Sequence, residues 1–572
     1  MENKGKSTQF LSLLLLMLMA VGNVHARSPN SQQPNIVLVM ADDMGYTDIG
    51  CYGSEIQTPR LDKLASAGVR FTQFYNTSRC CPTRAALLTG LYSHQAGIGL
   101  MTGDRGFDAY RGDLNTRCVT LAEAVKTAGY RTYMSGKWHV TKHVRPQGPN
   151  HNWPLQRGFD RFYGTIIGAG SFWDPATLCR DNQFITPVND KQYKSENYYY
   201  TDAISDNAVM YIDDHYQTHP AEPLFLYVSY TSAHWPMHAF EADIKKYEGL
   251  YDDGYDPIRE QRFAKAKKLG VIQPQWKLSP AASDWEKFAH KQWDIRCMEV
   301  YAAMVDRMDQ GIGHIVDELK ANDALDNTIF IYLQDNGGCA EYYGRADNSD
   351  KRDKFDFKPF GPNDLQTKIW PPMQTRDGRW VRTGPETMPG EEDTFVAYGL
   401  GWANTSNTPF RGYKHDGYEG GISTPFIVHW PVGMSRKQRG SIVRDPAHLI
   451  DLMPTCVEVA GATYPTKFHD DQVIQPMEGI SLLPALQGNT LARGAVLGFE
   501  HHGNLALRDG RYKIVSAYRN GEPTVWELYD MQQDRTELND LSETMPEKKQ
   551  ELIEKWQDWA DRVGVQSWPL MK

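Results

Sequence analysis

Apolar positions follow a different rhythm in different stretches of this chain, and each rhythm predicts an element. Continuous apolar runs at Asn35-Ile-Val-Leu-Val-Met40 and Pro223-Leu-Phe-Leu-Tyr-Val-Ser-Tyr230 predict strands buried on both faces. Val69 to Tyr75, Tyr130 to Ser135 and Asn327 to Leu333 predict three more. Helical patterns lie between them. Thr58-Pro59 opens one, with Thr58 as cap, Leu61, Leu64 and Ala65 facing inward, and Gly68 at the end. Thr120-Leu-Ala-Glu123 reads as a capping box whose helix ends at Gly129. A long helix is predicted from about Met298 to Ala321. Alternation on this scale predicts an α/β fold: a large, mostly parallel sheet with helices on both faces.

Two stretches break the pattern. Residues 341–408 are polar, rich in Gly, Pro, Asp and aromatics, and without a clear period. They read as an insertion or loop, either a surface excursion or a wall of the substrate pocket. After about Gln487 come short strands at Ala495–Glu500, Leu505–Leu507, Tyr512–Val515 and Val525–Tyr529, with turns at Asp509-Gly510 and Asn520-Gly521. A last helix after Pro546 carries Leu552, Ile553, Trp556, Trp559 and Val563 on one stripe. Residues 488–572 are therefore expected to form a small α+β domain with an antiparallel sheet.

The opening of the chain sets the expected compartment. Lys4 and Lys6 precede an apolar run from Phe10 to Val21, followed by the small-x-small pattern Val24-His25-Ala26. That run is too short to span a membrane as a helix, so residues 1–26 read as a secretory signal peptide. The catalytic domain is then expected over 27–487. The protein is expected to be exported, periplasmic or secreted, with no membrane span after signal cleavage. The composition, 41% hydrophobic and 23% charged over 572 residues, excludes a polytopic membrane protein and a disordered chain. A net charge of -10 gives no surface suited to nucleic acid phosphates.

Ligands in open α/β sheets bind beyond the carboxyl ends of the strands. There the first strand ends in Asp42-Asp43. The strand from Tyr130 ends in Gly136-Lys137-Trp138-His139. The strand from Pro223 is followed by Ser232-Ala-His234, and the strand from Asn327 by Asp335-Asn336-Gly337. Each alone is an ordinary turn; together they send carboxylates, an amide, imidazoles and an ammonium to one rim. Asp42, Asp43, Asp335 and Asn336 are hard oxygen donors without sulfur, which favours Ca²⁺ or Mg²⁺ over Zn²⁺. Adjacent carboxylates at a buried strand end repel each other unless a cation lies between them.

The nucleophile candidate lies in Cys80-Cys81-Pro82-Thr83-Arg84, with Thr89-Gly90 following. This stretch resembles the signature of the sulfatase family, Cys-x-Pro-x-Arg followed by Thr-Gly. The register selects Cys80, because Pro82 lies two residues after it and Arg84 four. The resemblance extends along most of the chain. Ala41-Asp-Asp-Met-Gly45 and Asp335-Asn336-Gly337 match the family's metal motifs, and Gly136-Lys137-Trp138-His139 its Gly-Lys-Trp-His block. Ser232-Ala-His234-Trp-Pro236 matches its Ala-Pro-His-x-Pro block with Ser-Ala in place of Ala-Pro. Tyr413-Lys414 followed by Glu419-Gly-Gly-Ile422 matches its last sulfate-contacting lysine. The stretch from Tyr251 to Asp256 and on to Met298–Val305 looks especially like bacterial arylsulfatases.

The resemblance implies an alkaline phosphatase-like fold and hydrolysis of sulfate esters to inorganic sulfate and an alcohol or phenol. It implies that Cys80 becomes formylglycine (3-oxoalanine) through a formylglycine-generating enzyme. It implies one Ca²⁺ per chain on Asp42, Asp43, Asp335, Asn336 and the converted Cys80. Lys137 and Lys414 would neutralise sulfate oxygens, and Arg84 would fix the modified residue and compensate the carboxylates. His234 would protonate the leaving group and His139 would take the proton that expels sulfate. The substrate is expected to be a small-molecule or saccharide sulfate ester, with Trp235, Trp173 and His238 as candidate lining residues. The alternatives are a phosphate or phosphonate ester hydrolase of the same superfamily and a non-catalytic binder of sulfated glycans. Of eight cysteines, conversion of Cys80 leaves seven, so at least one stays a free thiol.

Overall fold

Alternate residues of the first strand feed two different cores. Val37, Val39 and Ala41 join the hydrophobic cluster on one face of the main sheet, and Ile36, Leu38 and Met40 the cluster on the other. A strand so placed has no polar face, which is why it reads as an unbroken apolar run. The computed structural model describes residues 33–520 and 522–570. The expected signal peptide lies outside the described residues.

The main sheet runs β10 (Ser441–Val443), β2 (Val69–Tyr75), β9 (Ser423–His429), β8 (Thr328–Gln334), β1 (Asn35–Ala41), β7 (Leu224–Ser229), β3 (Arg131–Gly136), β4 (Arg161–Thr165), β5 (Leu178–Arg180) and β6 (Gln183–Phe184), with β11 (Ala447–His448) also on β2. From β8 through β1, β7 and β3 to β4 every pairing is parallel. Strand β9 is antiparallel to both its neighbours, and β5 and β6 close the far edge as antiparallel strands. The sheet is therefore mixed around a parallel centre. Helices Tyr200–Thr218 and Lys291–Ala321 cover one face; Cys80–Thr89, Leu121–Lys126 and Leu452–Ala460 cover the other.

Two helix starts differ from expectation. The long helix begins at Lys291, because Trp293, Ile295 and Cys297 continue its buried stripe. Thr58 does not cap its helix. Its Oγ accepts from the Gly50 N–H at 2.8 Å, while Asp309 of the long helix accepts from Arg60 and Leu61 N–H at 2.9 and 2.8 Å. The capping box of Thr120 and Glu123 is formed in both directions.

A small hairpin pairs β12 (Lys467–Phe468) with β13 (Gln472–Val473). A separate antiparallel sheet follows: β14 (Leu497–His501), β15 (Asn504–Asp509), β16 (Tyr512–Ser516) and β17 (Glu527–Asp530). Its last strand starts at Glu527, since Val525 is exposed and the ladder ends at Val515–Glu527. Helix Pro546–Val563 packs on this sheet through Leu552, Trp556, Trp559 and Val563. Buried ion pairs tie it to the main body. Lys513 Nζ lies 3.0 Å from Glu419 and 2.7 Å from Glu537, and Arg535 Nε lies 2.6 Å from Glu419. Residues 341–408 are largely irregular, with a 3₁₀ turn at Ser349–Lys354 and a helix at Gly399–Ser406.

Candidate active site

Four parallel neighbours, β8, β1, β7 and β3, end on one edge, and backbone bonds stitch the segments beyond them. Asp335 N–H donates to Ala41 O at 3.1 Å, Asp42 N–H to Ser232 O at 2.8 Å, and Lys137 N–H to Ser229 O at 2.8 Å. Asp43 and His139 leave their strands in the left-handed region, with φ of 58° and 56°, which turns their side chains inward. Gly136, with φ of 118°, sits where a Cβ would lie 1.9 Å from Ser229 O, so only glycine permits the turn into Lys137.

The side chains at this edge form one buried network. Lys137 Nζ donates to Asp42 Oδ2 at 2.6 Å, and Lys414 Nζ to Asp43 Oδ2 at 2.8 Å. Asn336 Nδ2 donates to Asp43 Oδ1 at 2.7 Å. Arg84, in the helix Cys80–Thr89, donates to Asp335 Oδ2 at 3.0 Å and lies 3.7 Å from Asp42 Oδ2. It also donates to Lys137 O and Ser229 Oγ. Asp42, Arg84, Lys137, Asp335 and Asn336 have no exposed surface. Asp42 Oδ1 and Asn336 Oδ1 are buried without a hydrogen-bond partner in the protein. Two unpartnered oxygens among three carboxylates are a donor set suited to a hard cation.

Electrostatics divide the two aspartates. Burial, with Asp335 beside it, pushes Asp42 well above the usual carboxylate range. Burial acts on Asp43 too, but Lys414 and His234 outweigh it and hold this carboxyl below its usual value.

Cys80 and Cys81 both lie at the start of their helix, and both are buried. Cys81 Sγ lies 3.1 Å from His139 Nε2 and 3.6 Å from Met101 Sδ. The Cys80 thiol is drawn well below its usual pKa, first by its hydrogen bond with Cys81 and then by Lys137 and His139 against burial. The Cys81 thiol is pushed up by burial. Burial lowers His139 to about 4 and His234 to about 3, so both imidazoles are neutral near pH 7. His234 commits Nδ1 to Trp235 O at 2.7 Å. Its Nε2 therefore faces Lys414 Nζ at 3.4 Å and Asp43 Oδ2 at 3.5 Å. His139 is held against Gly168, where a Cβ would lie 2.0 Å from the ring.

Residues 34–462 match the Sulfatase family model, and residues 413–561 match the model described as N-sulphoglucosamine sulphohydrolase, C-terminal. The chain belongs to the sulfatase family. It is 32% identical to an uncharacterized sulfatase of Schizosaccharomyces pombe, over 95% of this chain and 96% of the relative. It is 31% identical to an arylsulfatase of Klebsiella aerogenes, over 84% and 96%. The crystal structure of i-CgsB in complex with a neocarrahexaose shares the fold, with TM-score 0.61 and 22% identity over 92% and 93% of the two chains. The chain is accordingly a sulfuric ester hydrolase.

Sequence motifs missed a second layer of this sulfatase's site, centred on Glu341. Its Oε2 accepts from Trp235 Nε1 at 2.9 Å and Lys414 Nζ at 3.2 Å. Its Oε1 accepts from Arg79 Nη1 at 2.8 Å and lies 3.2 Å from His415 Nε2. Lys414, His415 and Arg79 together outweigh burial and keep this carboxyl far below its usual range. Arg79 and His415 adjoin Cys80 and Lys414 in sequence, and that adjacency was a usable signal. The segment after Asp335 thus contributes to the site, with Tyr343 packing on Trp235 at 4.6 Å between ring centroids. Trp173 packs instead on Tyr199 and Phe240. His238, expected as a lining residue, is buried, with its ring nitrogens on Thr394 O and Phe172 N–H. All eight cysteines are buried and unpaired.

Proposed function

We propose that this sulfatase works through a formylglycine made from Cys80, with one Ca²⁺ held by Asp42, Asp43, Asp335 and Asn336. The observation supporting this is the convergence of three carboxylates, two unpartnered oxygens, two lysines and Arg84 around the Cys80 end of a buried helix. When present, the hydrated aldehyde and the cation would supply an acidified geminal diol as nucleophile, with its own route for expelling sulfate.

The chain's own residues do the rest. Arg84 balances Asp42 and Asp335 with a permanent planar charge, which keeps the carboxylates in place when the site is dry. Lys137 and Lys414 bind the ester's anionic oxygens and offset the repulsion that makes sulfate esters slow to hydrolyse. His234 delivers a proton from Nε2 to the leaving oxygen, its other nitrogen being fixed on Trp235 O. Burial first, and Lys414 after it, disfavour the imidazolium; an anionic ester bound on Lys414 offsets the second of these and shifts His234 toward the protonated acid. His139, whose Nδ1 is unpartnered, accepts the proton in the release step.

Aryl and saccharide sulfates are both candidate substrates. The Klebsiella relative is an arylsulfatase, and one neighbour of the fold was solved with its substrate D-glucosamine-2-N,6-O-disulfate. The protein is proposed to be exported and to meet a formylglycine-generating enzyme on the way. No helix among the described residues is long and apolar enough to cross a membrane.

The decisive experiment is mass spectrometry of the tryptic fragment Cys80-Cys-Pro-Thr-Arg84 from active protein. The fragment is expected to be lighter by about 18 Da than the unmodified peptide. Full activity in protein whose fragment carries the unmodified mass would overturn the formylglycine reading.

A further inference from the structure

A second cluster of metal-type ligands lies outside the catalytic site, where two excursions of the chain meet. Asp113 closes the excursion that begins near Gly97, and Gly112 N–H donates back to Gly97 O at 3.1 Å. His143 and His151 belong to the segment that follows His139. Asp113 Oδ2 lies 3.0 Å from His151 Nε2 and 3.6 Å from His143 Nε2. One donor atom from each of the three lies within 4.8 Å of the other two. Asp113 is only 5% exposed, and its Oδ1 is buried without a hydrogen-bond partner. A buried carboxylate with one oxygen unpartnered and two imidazole nitrogens turned toward the other has a reason to hold a cation.

We propose that Asp113, His143 and His151 form a binding site for a divalent transition metal, with Zn²⁺ the best fit. Two imidazoles and one carboxylate are the donors Zn²⁺ takes, whereas Ca²⁺ and Mg²⁺ prefer oxygens alone. Tetrahedral bonds of 2.0–2.2 Å put neighbouring ligand atoms about 3.4 Å apart. The two separations to Asp113 Oδ2 bracket that value, and the ligand atoms all lie within 4.8 Å of one another, so an ion would draw the imidazoles together. His151 is 57% exposed on its side chain, which leaves an entry path and a fourth position for solvent. The carboxylate supplies a negative charge. The trio His415, His501 and His502 lacks this advantage, because Arg79 Nη1 lies 2.5 Å from His415 Nε2, a fixed positive charge where the cation would sit.

The site acts as a clip. The Asp113 excursion also carries Met101, whose Sδ touches Arg79 Nε at 3.3 Å and Cys81 Sγ at 3.6 Å. The His143 segment is anchored by Trp153 Nε1 donating to His143 O at 2.7 Å. Zn²⁺ bound between them would pin the wall beside the Cys80–Cys81 turn without contacting the reacting atoms.

The test is titration of the full chain with Zn²⁺ alone, in excess Ca²⁺ so that the catalytic cation site is not the one filled. Wild type is expected to bind one equivalent by calorimetry and elemental analysis. H151A and the double variant H143A/H151A should bind at least tenfold more weakly, with unchanged circular dichroism. D113N tests the carboxylate and is expected to weaken binding similarly. Co²⁺ in the same site should give the visible absorption of tetrahedral coordination. Equal Zn²⁺ binding by wild type and H143A/H151A, or no stoichiometric binding by wild type, would overturn the proposal. Because the readout is metal bound rather than sulfate released, failure here leaves the catalytic reading untouched.

Discussion

Lys414 is shared between two carboxylates: its Nζ donates to Asp43 Oδ2 at 2.8 Å and to Glu341 Oε2 at 3.2 Å. The second partner aims the ammonium at the rim, because Glu341 is itself anchored by Arg79 and Trp235. E341Q keeps the shape and removes the charge, leaving Arg79 and Lys414 without their shared counter-ion. Hydrogen bonds to charged groups are worth roughly 1.5–3 kcal/mol, so kcat/KM on an aryl sulfate is expected to fall about 10- to 100-fold. Steady-state kinetics of E341Q with unchanged circular dichroism check this; wild-type kcat/KM would refute a positioning role.

Gly168 holds the space that His139 occupies. A Cβ there would lie 2.0 Å from the imidazole, so G168A must displace the ring. General acid–base groups contribute roughly 10²–10⁴-fold, and displacement is expected to cost about 100-fold in kcat. The destabilisation should stay near 1–3 kcal/mol, the usual cost of overpacking. Sulfate release and thermal melting, measured together, separate the two effects.

Removing the proposed Ca²⁺ should destabilise as well as inactivate. An ion bound only by the folded state at a hundred times its Kd adds about 2.7 kcal/mol. Chelation is expected to lower the melting temperature and abolish turnover, and Ca²⁺ should restore both. In D335N the Ca²⁺-dependent rise in melting temperature should disappear, which scanning fluorimetry reads directly.

His238 gives a pH dependence with a defined sign. Burial lowers it to about 4, and its neutral form is locked by Nε2–H donating to Thr394 O and Nδ1 accepting from Phe172 N–H. An unfolded chain takes up this proton near 6.5, so it binds more protons than the fold between pH 6.5 and 4. The contribution to stability is complete above 6.5 and is lost as pH falls toward 4, by about 3 kcal/mol. Denaturation curves of wild type and H238Q across this window should show a shallower acid slope in the variant. Parallel slopes would contradict the assignment.

Lys513 neutralises Glu419 and Glu537 with no exposed surface on any of the three. K513M leaves two carboxylates buried beside each other, with Arg535 still on Glu419. Breaking a buried pair costs about 3–5 kcal/mol, and urea denaturation should register a loss of that size.

Much of this was readable along the chain because it is local. A strand buried on both faces must be apolar at every position, so β1 and β7 announced themselves. The spacing of Cys80, Pro82 and Arg84 carries the family's signature, and Asp42, Lys137, His234 and Asp335 each follow a strand end. Strand β9 was not among the expected strands, and its antiparallel placement depends on partners far away in sequence. Thr58 failed as a cap because Asp309, far away in sequence, took the helix N–H groups.

The amino-acid sequence by itself determined five strands of the main sheet, the order of the chemistry-bearing residues and the family they belong to. Those depend on short-range patterns of side-chain size, charge and turn preference. Only the tertiary structure decided which charges meet. Glu341 joins Lys414 and Arg79, and Asp113 joins His143 and His151, across chain separations that no periodicity encodes. Burial, acting together with these partners, then sets which groups keep a charge in the dry interior.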